Sequence, residues 1–422
     1  MEDERTYDDV ACTVCGCVCD DLRVTVAGGR VVRAENACRL AVPWFAEQDA
    51  RPAPCLIDGV PVPFAVAVAR AAEILQAARS PLIYGLSRST TEGQRTATAL
   101  ADRLGATIDT TASTGHAPSI VALQQVGEST CTLGEVKQRA DLVLFWGSDP
   151  VNTHPRHLER YAPPGLVHGV PRRIHVVDSQ LTDTAKLADR FWHVPDGTDA
   201  DALHRLRLLV RGLPVDAPPE LQELADVMKA AKFGIVFFGT SLTRGRLGHR
   251  NVEALLQLVT DLNDHTRFYA RRMRRYGDVA GADSVLTWQT GYPFGVNFAR
   301  GYPRYNPGEF TGPDLLARRE VDACLVVGSE TVTGFDAAAT ATLKSIPTVL
   351  LDSPGREASF TPTVKFTTAV YGIHRPGTAY RLDEVPIPLR VLLPTDYPDD
   401  AEVLAAVMAA LAEPKFPASG VA

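Results

Sequence analysis

Short runs of consecutive apolar residues alternate along this chain with longer segments in which apolar positions recur every three or four residues. Six runs read as strands: Pro81–Leu86, Asp141–Gly147, Arg173–Asp178, Phe233–Gly239, Asp322–Gly328 and Pro347–Asp352. Most are apolar throughout, the pattern of parallel strands covered on both faces. Phe64–Ala78, Thr91–Leu104, Ala200–Leu208, Glu220–Ala231, Arg250–Leu262 and Ala401–Leu411 read as helices between or beyond them. This alternation predicts α/β architecture with doubly wound sheets. Gly85, Gly147, Gly239 and Gly328 end strands and open polar loops, where such sheets bind ligands. An ordinary strand-to-helix turn also uses glycine, so these four positions alone do not name a ligand.

The first 60 residues break the pattern. They carry few helix signals, a short β pattern at Leu22–Val26 and Arg30–Arg33, and five of the eight cysteines between Cys12 and Cys38. A small cysteine-rich module is the expectation. Gly291–Pro313, rich in Gly, Pro, Tyr and Phe, predicts a long ordered loop that packs over the sheet or lines a pocket. The tail from Pro414 predicts a frayed end or an interface segment.

Composition narrows the classes. With 45% hydrophobic and 22% charged residues, the chain has the apolar material for a packed core, which excludes disorder as its main state. A net charge of -7 argues against a nucleic-acid partner. No run of about 18 apolar residues exists to span a membrane. The acidic start, Met-Glu-Asp-Glu-Arg, lacks the order of a signal peptide, so the reading is cytoplasmic. In that compartment clustered cysteines bind metal more often than they form disulfides.

Cys12, Cys15 and Cys19 stand in a C-x2-C-x3-C spacing with Cys17 left over, and Cys38 follows with 18 residues between it and Cys19. A 4Fe–4S cluster needs four thiolates, and short spacers let several converge. C-x2-C also serves tetrahedral zinc, and four thiols can stand without metal, so spacing leaves all three open. Cys55, Cys131 and Cys324 are isolated and read as small buried hydrophobes. His154 and His157 have the i, i+3 spacing of some metal pairs, yet packing in a strand-end loop explains them better. The basic run Arg271, Arg272, Arg274 and Arg275 reads as a solvated face; its functional alternative is contact with an anionic carrier.

Longer strings carry a resemblance. They are the cysteine motif with Asp20-Asp21, then Asn36–Leu40, Asp109–Ser119, Thr132–Lys137, Trp146–His157, Leu286–Phe294, Arg300–Phe310 and Gly377–Asp383. Together they resemble the B subunit of formylmethanofuran dehydrogenase, within the molybdopterin oxidoreductase superfamily. The resemblance implies a tungsten or molybdenum bis-pterin fed by a 4Fe–4S cluster on Cys12, Cys15, Cys19 and Cys38. It also implies a cysteine metal ligand directly before a histidine. Here that pair reads Gly115-His116, and glycine has no side chain to coordinate a metal. Arg274 falls near the family's active-site arginine, but its surroundings, and Ile373–Pro376, depart from the active enzymes.

These departures point to one branch, the bacterial formyltransferase/hydrolase complex. The resemblance then implies a small cysteine-rich module at 1–62, a discontinuous α/β domain of 63–130 and 321–422, and an inserted α/β domain of 131–320. It implies a non-redox scaffold with a degenerate site around Gly115, His116 and Arg274 and no tungsten or molybdenum pterin. Its partners would be amidohydrolase, formyltransferase and pterin-domain-like subunits. Together they would move formyl groups from tetrahydromethanopterin to a methanofuran-type carrier and release formate. The four cysteines would keep a 4Fe–4S cluster or persist as a vestige. The opposing reading is a redox-active dehydrogenase component, and a more remote one is a free-standing protein that binds another ligand in the old pterin cleft.

Overall fold

The computed structural model describes residues 4–245 and 247–412; the tail from Pro414 lies outside them. The chain forms two compact units, the second consisting of Gly115–Arg275 with Leu382–Val385 and the first of the remainder. In the first unit, five parallel strands run in the order Thr107–Thr110, Pro81–Gly85, Ala323–Val327, Thr348–Asp352, Val364–Thr367. Short antiparallel strands extend both edges to nine: Val296–Asn297 and Arg304–Tyr305 on one side, Cys55–Ile57 and Val60–Pro61 on the other.

The alternation of side chains along these strands fills two separate cores. Ile83, Leu325, Val327, Val349 and Leu351 face the helices Phe64–Ala77, Thr91–Leu104 and Asp400–Ala410. Leu82, Tyr84, Cys324, Val326 and Leu350 face Gly312–Ala317 and Ala337–Ser345. Both faces are dry, which is why the strands read as unbroken apolar runs. The remaining strands of the N-terminal segment, Arg5–Val10, Leu22–Ala27 and Arg30–Glu35, make a three-stranded antiparallel sheet. Among the described residues no helix is long and apolar enough to cross a membrane.

The second unit is built on an all-parallel sheet in the order Arg190–His193, Arg173–Asp178, Leu142–Trp146, Phe233–Phe238, Arg267–Arg272. Numbered along the chain, this is 3-2-1-4-5, five of the six strands of the doubly wound 3-2-1-4-5-6 order, and the first unit's parallel strands follow 2-1-3-4-5.

Two segments fall on other sides of the unit boundary than the division the resemblance implied. Helix Ala117–Val126 packs on Gly248–Leu262 in the second unit. Helix Val279–Thr290 packs on Thr91–Leu104 in the first, and the following strand Val296–Asn297 pairs with Thr107–Thr110. The Gly291–Pro313 loop is therefore stitched to the sheet edge by two short strands.

Three residues of the basic run are a correction. Arg271 and Arg272 end a strand, and these two and Arg274 are 5–7% exposed rather than solvated, while Arg275 is exposed as expected. Arg271 donates to the Leu382 carbonyl, Arg272 pairs with Glu128 at 3.1 Å and Arg274 with Glu384 at 3.3 Å. The charge suggested solvent, but distant carboxylates and a carbonyl receive it. Arg172, also buried, donates to the carbonyls of Val136, Lys137, Ala140 and Pro163, closing the C-terminal end of helix Leu133–Arg139. Arg172→Met strands these carbonyls, and we expect a loss of about 2 kcal/mol in denaturant unfolding, at the scale of hydrogen bonds to charged groups.

Candidate functional site

In open α/β sheets the loops diverge at the strand pair where the winding reverses, leaving a crevice at the carboxyl ends. In the first unit that pair is Pro81–Gly85 and Ala323–Val327. Gly85, at φ +114°, presses against the Val327 carbonyl so closely that a side chain would collide with it. The two loops that leave this point carry Arg88 and Glu330, which are ion-paired. Arg356 reaches the same carboxylate at 3.5 Å and Glu47 at 3.6 Å, forming a chain of four alternating charges. Asp352 and Asp400 line the same cavity, which has about 30 Å³ of room. Burial pushes the Asp400 carboxyl up to about 6. Asp352 is also raised, again by burial.

Arg88 joins the crevice to the cysteine loop by donating to the Thr13 carbonyl at 2.6 Å. The loop is tightly wound: Cys12 N–H donates to Cys19 O at 2.8 Å, and Val18 N–H to Cys15 O at 3.1 Å. Cys12, Cys17 and Cys19 are buried, Cys15 and Cys38 half-buried. Burial raises the Cys12 thiol, and the neighbouring Cys15, Cys19 and Cys38 reinforce the shift, so these three lie within electrostatic reach of Cys12. Cys15 is lowered by a hydrogen bond from the Cys17 thiol, with Arg88 adding to the effect. Among the described residues no three His, Cys, Asp or Glu side chains surround a single metal position. A zinc site needs that convergence. A 4Fe–4S cluster instead gives each thiolate its own iron.

Asp278 is a fully buried carboxylate that the sequence pattern did not single out. It accepts from Gln94 Nε2, Gly281 N–H and Tyr380 N–H, binding helix Thr91–Leu104, helix Val279–Thr290 and strand Gly377–Tyr380. The residue before it, Gly277, packs so tightly against Thr13 O and Tyr371 Oη that a Cβ would collide. Burial pushes the Asp278 carboxyl to about 8, against its three hydrogen bonds. Asp109 is similar: burial raises it to about 7 although it accepts from the Gly295, Gly312 and Thr110 N–H groups.

Gly115 is the first residue of the second unit. Gly115 O accepts from Thr243 Oγ1 at 3.2 Å, and a Cβ built on Gly115 meets no atom within 4 Å. His116 is buried at the start of helix Ala117–Val126, its carbonyl held by Ser119. Arg274 lends its carbonyl to His154 Nε2 at 2.7 Å. His157 lies among Phe145, Phe237 and Tyr161, and burial lowers it to about 3 and His154 to about 4. Both are core histidines by their surroundings. Cys55, Cys131 and Cys324 are buried.

No family model matches the chain. Among curated proteins, it is 40% identical to the B subunit of tungsten-containing formylmethanofuran dehydrogenase 2 from Methanocaldococcus jannaschii, over 95% of this chain and 97% of that protein. The chain belongs to the family of formylmethanofuran dehydrogenase B subunits. The Methanococcus maripaludis protein of the same name is 38% identical over the same shares. The B subunit of the formyltransferase/hydrolase complex Fhc of Methylorubrum extorquens is 28% identical over 62% of this chain and 71% of that protein.

Two solved structures share the fold. A chain of the FhcABCD complex of Methylorubrum extorquens, crystallised with methylofuran, superposes with TM-score 0.72 at 24% identity, covering 84% of this chain and 98% of that one. Acetylene hydratase from Pelobacter acetylenicus gives 0.68 at 12% identity, over 96% and 69%. The architecture is thus of the molybdopterin-oxidoreductase type, as the resemblance implied.

The Arg88–Glu330–Arg356 chain fills part of the first unit's crevice. The cysteine loop does supply the four thiols that a cluster takes.

Two outcomes follow from this geometry. Gly115→Cys should leave the melting temperature within about 2 °C of the parent, since the new side chain meets open space and φ there is unstrained. Asp278 titrates from about 3.9 unfolded to about 8 folded. Its contribution to stability is therefore full below the unfolded value and is lost as pH rises through the folded one. Asp278→Asn mimics the protonated acid. Thermal stability between pH 6 and 9 should fall less steeply in that variant than in the parent.

Proposed function

We propose that this chain is the non-redox B subunit of a formyltransferase/hydrolase complex. The complex moves formyl groups from a tetrahydromethanopterin carrier to a methanofuran-type carrier and releases formate. The observation that carries this reading is Gly115. Where the resemblance places a cysteine metal ligand, this residue offers no donor atom, and a bis-pterin tungsten or molybdenum centre would lose its protein ligand. Transfer and hydrolysis then belong to formyltransferase and amidohydrolase partners, accompanied by a pterin-domain-like one. This chain supplies the framework that they assemble on.

In this proposal Cys12, Cys15, Cys19 and Cys38 hold a 4Fe–4S cluster that acts as a staple. The segment from Arg5 to Glu35 contains only a three-stranded sheet, and thiolate–iron bonds would tie its loops together. When bound, the cluster supplies cross-linking; His116 and Arg274 serve as buried polar residues of the second unit.

One observation favours a redox-active dehydrogenase component instead: 40% identity over nearly the whole length of a tungsten-containing relative, with the four thiols retained. Metal analysis of the anaerobically purified complex separates the two. About four irons per copy of this chain with neither tungsten nor molybdenum is the expected result. Stoichiometric tungsten or molybdenum would overturn the scaffold reading. So would purification of this chain alone, without partners, under mild conditions.

A further inference from the structure

A 4Fe–4S cluster takes four thiolates, so a loop that offers five leaves one over. On the ligand assignment proposed above, on which this inference rests, that thiol is Cys17. It is 1% exposed, whereas Cys15 is half-buried. The chain from Cys15 to Val18 is a tight turn, closed by the Val18 N–H to Cys15 O hydrogen bond at 3.1 Å. Two virtual bonds of about 3.8 Å folded through a turn set the Cα atoms of Cys15 and Cys17 about 5–6 Å apart, inside the range that a disulfide spans. The residue between them, Gly16, has no side chain to obstruct that closure.

We propose that Cys15 and Cys17 form a reversible disulfide when the loop carries no iron, with Cys17 as the resolving thiol. The oxidant is a low-molecular-weight disulfide of the glutathione class. The more accessible Cys15, as thiolate, attacks one sulfur of glutathione disulfide; a mixed disulfide forms and one glutathione thiolate leaves. The Cys17 thiol, deprotonated, then attacks the Cys15 sulfur of the mixed disulfide. The Cys15–Cys17 bond forms and the second glutathione leaves. The protein dithiol loses two electrons, the glutathione disulfide gains them, and the two thiol protons pass to the released glutathiones. A thiol reducing agent reverses both steps. The bond removes Cys15 from the path to irreversible sulfinic acid and keeps the empty loop able to accept iron again.

Iron would occupy Cys15 and block the reaction, so iron content and thiol state should be read on the same samples. The full chain, in the complex it purifies with, is stripped of iron by a chelator under reducing conditions. It is then exposed to glutathione disulfide, alkylated, digested and weighed by mass spectrometry. The expected result is a peptide carrying Cys15 and Cys17, two hydrogens lighter and unalkylated, which dithiothreitol converts to the doubly alkylated form. Iron-loaded protein should not give it, and Cys17→Ser should stop at a glutathione adduct on Cys15. The inference is overturned if the parent also stops at that adduct, or if Cys15 pairs with Cys12, Cys19 or Cys38. Iron in Cys17→Ser tells the two failures apart. Parent-level iron leaves the ligand assignment standing whatever the thiols do, whereas lost iron makes Cys17 a ligand and overturns the assignment and the inference together.

Discussion

Parallel strands buried on both faces leave the two parallel sheets no exposed surface on which to place chemistry, so polar groups collect in the loops at their strand ends. The rest of this protein follows from that constraint. At the reversal point of the first unit, Gly85 meets the Val327 carbonyl with no room for a side chain, and at that of the second, Gly147 and Gly239 are crowded in the same way. Such contacts hold adjacent strands together where their loops part. Arg88 leaves one of these points and reaches the cysteine loop, so the sheet and the thiols are linked through one guanidinium.

Charge buried in that setting is tolerated only where it is answered. Arg88, Glu330, Arg356 and Glu47 answer one another. Arg271, Arg272 and Arg274 are answered by a carbonyl and two carboxylates. Asp278 and Asp109 are met by amide donors, without a cation, and burial keeps their carboxyl groups protonated to unusually high pH. These groups tie segments distant in sequence, which is a structural use of polarity.

The opposition at Gly115 is one of inheritance and loss. Most of the chain matches tungsten-containing relatives, and Cys15, Cys19 and Cys38 remain in electrostatic reach of Cys12. On the proposed reading a single position withdraws the donor atom that a redox centre would need, while the backbone there stays open enough for a side chain. The scaffold reading treats this as a deletion of chemistry inside a fold kept for assembly.

The six apolar runs, the helices between them, the cysteine spacing and the glycine at 115 could be read along the chain, because each is a local pattern of period, spacing or side-chain absence. The strand Arg267–Arg272 could not, because its charges imitate a solvated face until Glu128 and Glu384 come within reach. Neither could Arg88, Glu330 and Asp278, which are ordinary polar residues in sequence. They acquire a role only when loops more than 180 residues apart meet. Local pattern was thus enough to say which segments could be strands and which thiols could share a cluster, while the meaning of the glycine at 115 came only through the resemblance. Which charges are paired, how little room the crevice retains and which helix belongs to which unit were settled only by folding, since these depend on long-range contacts that no local pattern encodes.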